Sequence, residues 1–255
     1  MTASSPGVLL LGGTAGVGLE TAIHFASDGA RVVLLGRNTD RGASAREVVR
    51  TRVPGSTVQF VRVDATDPDD AARAEAESRS ILGDIDTLIC SSGPSQPPRL
   101  LADIPIRDLR QRIDEIVLPP LHMMHAALPA MRARGTGAII VVASDAAKVA
   151  TPGETLIGAA MAAIVMFSKA AALEVKREGV RINLLTPSLI AGTPGAALID
   201  GEAFSAKMFQ KASALAHLGV AESSDLASMA VYLASPAARR MTGQAISING
   251  GISVA

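Results

Sequence analysis

Val8-Leu9-Leu10-Leu11-Gly12-Gly13-Thr14-Ala15-Gly16-Val17-Gly18-Leu19-Glu20 is the stretch that decides the fold. A short apolar run enters a glycine-rich turn, and the turn enters a segment with helical spacing. The pattern predicts a strand that ends, a backbone that bends tightly and a helix whose N-terminus faces outward. Glycine permits φ > 0 and lets the main chain approach a ligand closely. Exposed N–H groups at the positive end of a helix then form an anion site suited to a pyrophosphate. Gly12, Gly16 and Gly18 are the glycines this reading makes functional. A glycine-rich turn can also be simple punctuation, so its surroundings must decide.

Working outward, apolar runs and helical segments alternate to the end of the chain. Strands are predicted at Arg31–Leu35, Thr57–Val63, Asp86–Cys90, Gly137–Ala143, Arg181–Leu185 and Ala245–Ile248. Helices are predicted over 17–28, 40–52, 68–82, 106–134, 155–178, 204–216 and 224–234, with Pro119-Pro120 kinking or breaking the fourth. Residues 187–201, rich in Gly and Pro, are expected to be a loop. Alternating βα units argue for an α/β fold, a doubly wound parallel sheet of about seven strands with helices on both faces. With no repeat, low-complexity tract or linker, residues 1–255 read as a single domain. Ligands in such sheets bind beyond the carboxyl ends of the strands, at the topological switch point.

Composition narrows the function. The 255 residues are 48% hydrophobic and 19% charged with a formal net charge of zero, so nothing in the overall charge draws nucleic acid or an anionic membrane. Cys90 is the only cysteine, which excludes an intramolecular disulfide or a multi-thiolate metal site and suits a reducing compartment. Residues 1–7 carry no basic residue ahead of the apolar run, unlike a secretion signal. The Leu156–Phe167 run is too short to cross a bilayer and reads as a buried helix. A cytoplasmic location is expected.

Arg37 follows the second strand, where the adenosine ribose of a dinucleotide would lie. An acid there binds the 2′-hydroxyl, whereas an arginine favours a 2′-phosphate, so NADP(H) is preferred over NAD(H). A solvated arginine is the plainer reading. Asp64, after the third strand, could accept from an adenine amino group or cap the turn before Pro68.

The chain resembles the short-chain dehydrogenase/reductase superfamily over essentially its whole length. The matching pieces are Gly12-x-x-x-Gly16-x-Gly18, Val63-Asp64-Ala65-Thr66-Asp67, Ala127-Leu128-Pro129-Ala130-Met131 and Gly137 through Ser144. They continue with Val180-Arg181-Ile182-Asn183, Tyr232-Leu233-Ala234-Ser235, Thr242-Gly243-Gln244 and Asn249-Gly250-Gly251. The resemblance implies a Rossmann-type sheet that binds a nicotinamide dinucleotide. It implies cofactor contacts from Gly12, Thr14, Gly16, Val17 and Gly18 in the turn. Further contacts are implied from Asp64, Ala65, Ser92, Gly93, Pro187 and Thr193. The family's Asn-Asn-Ala-Gly is here Cys90-Ser91-Ser92-Gly93, and its Pro-Gly is Pro187-Ser188.

The resemblance also implies an Asn-Ser-Tyr-Lys set that performs general acid–base chemistry with a tuned pKa. Ser144 matches the serine. The tyrosine position falls at Ile157, the lysine position at Met161 and the asparagine position at Ile116, all aliphatic. Tyr232, the only tyrosine, belongs to a later helix. Ordinary alcohol–ketone exchange is therefore not expected, and activity should be atypical; a catalytically inactive paralogue that binds dinucleotide or assembles is the alternative. His122 and His125 read as packing or surface histidines. Asp145, Lys148 and Glu154 read as solvated charges rimming the pocket, Lys148 being the candidate substitute ionisable group. Dinucleotide binding is expected to be weaker without the lysine. The helices over 106–134 and 155–178 imply a homodimer or homotetramer. A small apolar substrate suits the Ala, Gly, Leu and Ile after Pro187.

Overall fold

A computed structural model describes residues 5–255. The first strand, β1 (Gly7–Leu11), is buried along its whole length. Its side chains alternate between two cores: Leu9 and Leu11 join one, Val8 and Leu10 the other. A strand covered on both faces needs no polar alternation, which is why it reads as a continuous apolar run. The turn after Leu11 opens into α1 (Gly16–Ser27), which Gly29 ends at φ 80°.

The chain continues through β2 (Arg31–Gly36), α2 (Thr39–Arg52), β3 (Val58–Arg62), α3 (Pro68–Leu82) and β4 (Thr87–Cys90). Asn38 caps α2 by accepting from the Arg41 N–H, and Asp67 caps α3 ahead of Pro68. Cys90 closes β4 and is buried. Then come α4 (Leu109–Arg134), β5 (Gly137–Val142), α5 (Thr155–Val175), β6 (Val180–Pro187), α6 (Pro194–Asp200), α7 (Ala203–Ser213), α8 (Ser223–Ala234) and β7 (Ala245–Ile248).

All strand pairs are parallel, in the order β3-β2-β1-β4-β5-β6-β7. The order reverses between β1 and β4, which places the switch point beside the glycine turn. Helices α1, α2 and α8 cover one face of the sheet; α3, α4 and α5 cover the other. The expected α/β sheet with two helical layers is thus observed.

Three expectations are corrected. Helix α4 begins at Leu109 after a short 3-10 turn and runs unbroken through Pro119, Pro120 and Pro129. Its packing between α3 and α5 offsets the missing amide donors. The segment after Pro187 is not all loop: α6 forms with Pro194 in its first turn and Thr193 accepting from the Ala196 N–H. The apolar stretch at 155–178 is long and apolar enough to cross a membrane, with a mean hydropathy of 1.9, yet its buried face packs on α4 and β6.

Candidate functional site

Two steric facts set the shape of the glycine turn. Gly12 has φ 75°, and a Cβ there would lie 2.7 Å from the Ser91 carbonyl oxygen, so β1 and β4 leave no room for a side chain. A Cβ on Gly18 would lie 2.2 Å from the Gly12 carbonyl oxygen, so α1 folds back directly onto the turn. Ala15 offers α1 no side-chain cap, which leaves the first N–H groups of that helix for an anion.

A cavity of about 520 Å³ opens over this edge of the sheet. Gly12, Thr14, Gly16 and Val17 form its floor, and Ala65, Ser92 and Gly93 form the wall above β3 and β4. Arg37, Asn38 and Arg41 lie at one end; Ser144, Glu154, Ile157 and Met161 line the other; Pro187 and Thr193 border the far side. Ile190, Leu198, Ile199 and Phe209 add an apolar wall from the segment after β6 and from α6 and α7.

Asp64 also lines the cavity, and its Oδ1 accepts from the Thr66 N–H and hydroxyl, the latter at 2.7 Å. The Asp64 N–H donates to Asp70 Oδ2 at 2.7 Å, which fixes the loop and, with Arg73, holds the Asp70 carboxyl below its usual range. His122 takes no part in the cavity wall; its Nδ1 meets the Ala65 carbonyl oxygen at 2.9 Å and ties α4 to this loop.

Two of the expected site residues lie outside the cavity wall. Gly18 does not line the cavity; close packing of α1 on the turn explains its lack of a side chain. Lys148 does not line it either. Its Nζ bonds to the Ser247 hydroxyl and to the Ala255 carbonyl oxygen at 2.6 Å, and lies 3.6 Å from Asp145. Ile116 lines a smaller neighbouring cavity, which it shares with Ile157, Leu156 and Arg112.

The cavity fits a dinucleotide. Its floor is main chain and small side chains, Gly12, Thr14, Gly16 and Val17, which let a ligand approach the turn closely. Ser92 Oγ, on its wall, is buried with no hydrogen-bond partner among the described residues. The space beside Gly93 is open, with nothing within 4 Å of where a Cβ would sit. Among the described residues no group of His, Cys, Asp and Glu is arranged to hold a metal ion.

The family model described as enoyl-(acyl carrier protein) reductase matches residues 12–253. The chain belongs to the short-chain dehydrogenase/reductase superfamily. Dehydrogenase/reductase SDR family member 7B of Bos taurus is 29% identical over 188 residues, which cover 72% of this chain and 57% of that one. The chain thus spans little more than half of that relative. A 2-dehydro-3-deoxy-L-rhamnonate dehydrogenase (NAD(+)) of a Sphingomonas species is 31% identical over 182 residues, 71% of this chain and 70% of the relative. A 7α-hydroxysteroid dehydrogenase solved with NADH and 7-oxo glycochenodeoxycholic acid superposes with a TM-score of 0.87 at 26% identity, covering 96% and 93% of the two chains.

Within this short-chain dehydrogenase/reductase, the sequence alone missed Arg41 as a wall residue and read Glu154 as a solvated charge on the rim. Arg41 lies in the first turn of α2, three residues beyond the cap at Asn38, a spacing that could have signalled it. Glu154 precedes α5, and burial pushes its carboxyl up to about 7, the Thr151 side chain opposing the shift and the charge of Asp145 adding to it.

Proposed function

We propose that this chain is an NADP(H)-binding oxidoreductase whose proton chemistry departs from that of its superfamily. The observation that carries this reading is the single cavity that joins Arg37 and Arg41 to the glycine turn and then to Ser144. Two guanidinium groups at the adenosine end suit a 2′-phosphate, which they can bind with paired N–H donors. The uncapped N-terminus of α1 suits the pyrophosphate, and Asp64 suits the adenine amino group. Gly16, Val17, Ala65, Pro187 and Thr193 support the remaining length of the dinucleotide.

Bound there in its reduced form, the dinucleotide would supply a hydride to a substrate carbon. The protein's part is to orient that carbon, hold water out and serve the oxygen. Ser144 can donate to the oxygen, while Ile190, Leu198, Ile199 and Phe209 suit a small apolar substrate. Ile157 and Met161 offer neither a proton nor a ribose hydrogen bond, so dinucleotide binding is weaker than a lysine at 161 would give. Their presence in the cavity wall favours a second reading, a dinucleotide-binding protein without turnover.

The exposed apolar face of α5, with Met166 at 67% and Leu173 at 65% exposure, supports a homodimer or homotetramer. The overall neutrality, and an α5 whose buried face packs on α4 and β6, support a protein of the cytoplasm whose exposed α5 face meets another copy rather than a membrane.

Titration with NADPH and NADH, read by cofactor fluorescence and by melting temperature, tests the reading. Saturable binding of NADPH in preference to NADH is expected. No response to either dinucleotide at millimolar concentration would overturn it. Dinucleotide binding without reduction of any carbonyl compound would favour the second reading.

A further inference from the structure

Ile157 and Met161, aliphatic where the superfamily has tyrosine and lysine, leave the reacting end of the cavity without the usual proton donor. A different group stands one helical turn earlier. Glu154 lines the same cavity as Ser144, Ile157 and Met161, and immediately precedes α5 without capping it through its side chain. Resting on the NADP(H) reading above, we propose that Glu154 is the proton donor to the substrate oxygen in this cavity.

Its position is built by several elements rather than by its own helix alone. The Arg99 N–H donates to the Gly153 carbonyl oxygen at 2.9 Å, holding the loop before α4 against Glu154. Gly153 has φ 87°, and a Cβ there would lie 2.5 Å from the Phe204 ring, so α7 closes over the same point. The Glu154 carbonyl oxygen accepts from the Gly158 N–H at 2.6 Å, which fixes the first turn of α5. A Cβ on Gly158 would lie 2.8 Å from the Ala146 carbonyl oxygen, so α5 abuts the Ser144 loop without a spacer.

The charged groups around it are few and mostly engaged. Asp145 faces it from the loop after β5 and is itself 3.6 Å from Lys148. Arg99, on the facing loop, pairs with Glu202 at 2.7 Å. Glu115 of α4, elsewhere on the cavity wall, accepts from the Ser95 hydroxyl at 2.8 Å and from Gln111 at 2.9 Å. No cation is paired with Glu154 among the described residues, so no opposite charge offsets the desolvation of its carboxylate.

A carboxyl that titrates near 7 is half protonated at neutral pH, the condition that suits a general acid. As the carbonyl carbon takes up the hydride, the C=O π pair moves onto oxygen. Glu154 transfers its carboxyl proton to that oxygen and is left as a carboxylate, which water reprotonates through the cavity mouth. The substrate gains two electrons and becomes an alcohol; the reduced nicotinamide loses them.

Glu154→Gln tests this with two readouts. The first needs no cofactor. The folded carboxyl is raised above its ordinary value, so its contribution to stability is full at low pH and fades as pH rises through about 7. The melting temperature of the wild type should therefore fall by several degrees relative to the glutamine variant between pH 5 and pH 8.5. A constant gap would overturn the proposal. The second readout is NADPH-dependent reduction of a panel of aldehydes and ketones. The variant should lose about 10²-fold in kcat/KM and lose the wild-type decline above pH 7, with NADPH affinity unchanged within about twofold. Full turnover with the pH limb intact in the variant would overturn the proposal. So would a wild type that binds NADPH and reduces nothing in the panel, an outcome that leaves the binding reading standing. A wild type that binds no NADPH defeats the underlying reading itself, and the titration shows this before any turnover is measured.

Discussion

Asn249 Nδ2 donates to Asp145 Oδ2 at 2.9 Å, joining two buried residues that lie more than a hundred positions apart. The Ser253 hydroxyl bonds to the same carboxylate oxygen, and Lys148 approaches the other oxygen. This polar knot ties the Ser144 loop to the segment after β7. Asp145→Ala would remove one acceptor from the buried Asn249 amide, which keeps Ser253, and the carboxylate beside Lys148, whose Nζ keeps Ser247 and Ala255. We expect a loss of about 1.5–3 kcal/mol in chemical denaturation, the worth of a hydrogen bond to a charged group. A loss near zero would mean that the knot relaxes into water.

Gly18 serves the turn by absence. Gly18→Ala puts a methyl group 2.2 Å from the Gly12 carbonyl oxygen, a contact that only a shift of α1 can relieve. Lower melting temperature and weaker NADPH binding should appear together in this variant. Gly93→Ala, which meets open space within the protein, should leave the melting temperature almost unchanged while weakening NADPH binding.

Arg37 and Arg41 set the dinucleotide preference in the proposed complex. Each charge-assisted hydrogen bond to a phosphate is worth about 1.5–3 kcal/mol. Replacing both arginines by alanine should raise the Kd for NADPH about 10-fold or more and leave that for NADH nearly unchanged. Equal weakening of both dinucleotides would assign the arginines to something other than a 2′-phosphate.

Restoring the missing polar set is a separate test. Met161 is buried, so Met161→Lys alone should lower the melting temperature, because an ammonium loses hydration there. Ile157→Tyr and Ile116→Asn, added to it, supply partners. The triple variant should bind NADPH more tightly than the wild type and gain carbonyl reduction. No gain would mean that the substrate end of the cavity has also diverged.

The α5 face carries a prediction of its own. Met166→Asp places a charge in the middle of an exposed apolar patch that includes Phe167 and Leu173. Light scattering should show a smaller assembly than the wild type, with the melting temperature of the monomer little changed. An identical mass for the two proteins would place the contact elsewhere.

Much of the fold was legible in the sequence because each strand buried on both faces is a short unbroken apolar run, as in Val8–Leu11 and Gly137–Val142. Gly29, Gly83 and Pro68 marked helix ends by local geometry, which sequence spacing reports directly. The failures were non-local. Pro119-Pro120 reads as a kink or a break because α3 and α5, the neighbours packed along the continuous α4, are distant in the chain. Lys148 reads as a pocket residue because Ser247 and Ala255, which bind it, lie about a hundred residues further on. Glu154 reads as a solvated charge because the elements that enclose it, the Arg99 loop and α7, come from either side of it in sequence. Two local signals went unread: Thr193-Pro194 as a cap followed by a first-turn proline for α6, and the Asn38 cap three residues before Arg41.

Cys90 has a practical consequence. It closes β4 beside Leu11, is fully enclosed, and burial pushes its thiol up to about 12. Such a sulfhydryl stays protonated and out of reach of maleimides in the folded protein. The chain is therefore a silent background for labelling: a cysteine introduced at exposed Leu198 or Phe204 would be the one group to take up a dye. A fluorophore there could follow movement of α6 or α7 over the cavity in real time, without first deleting the native residue.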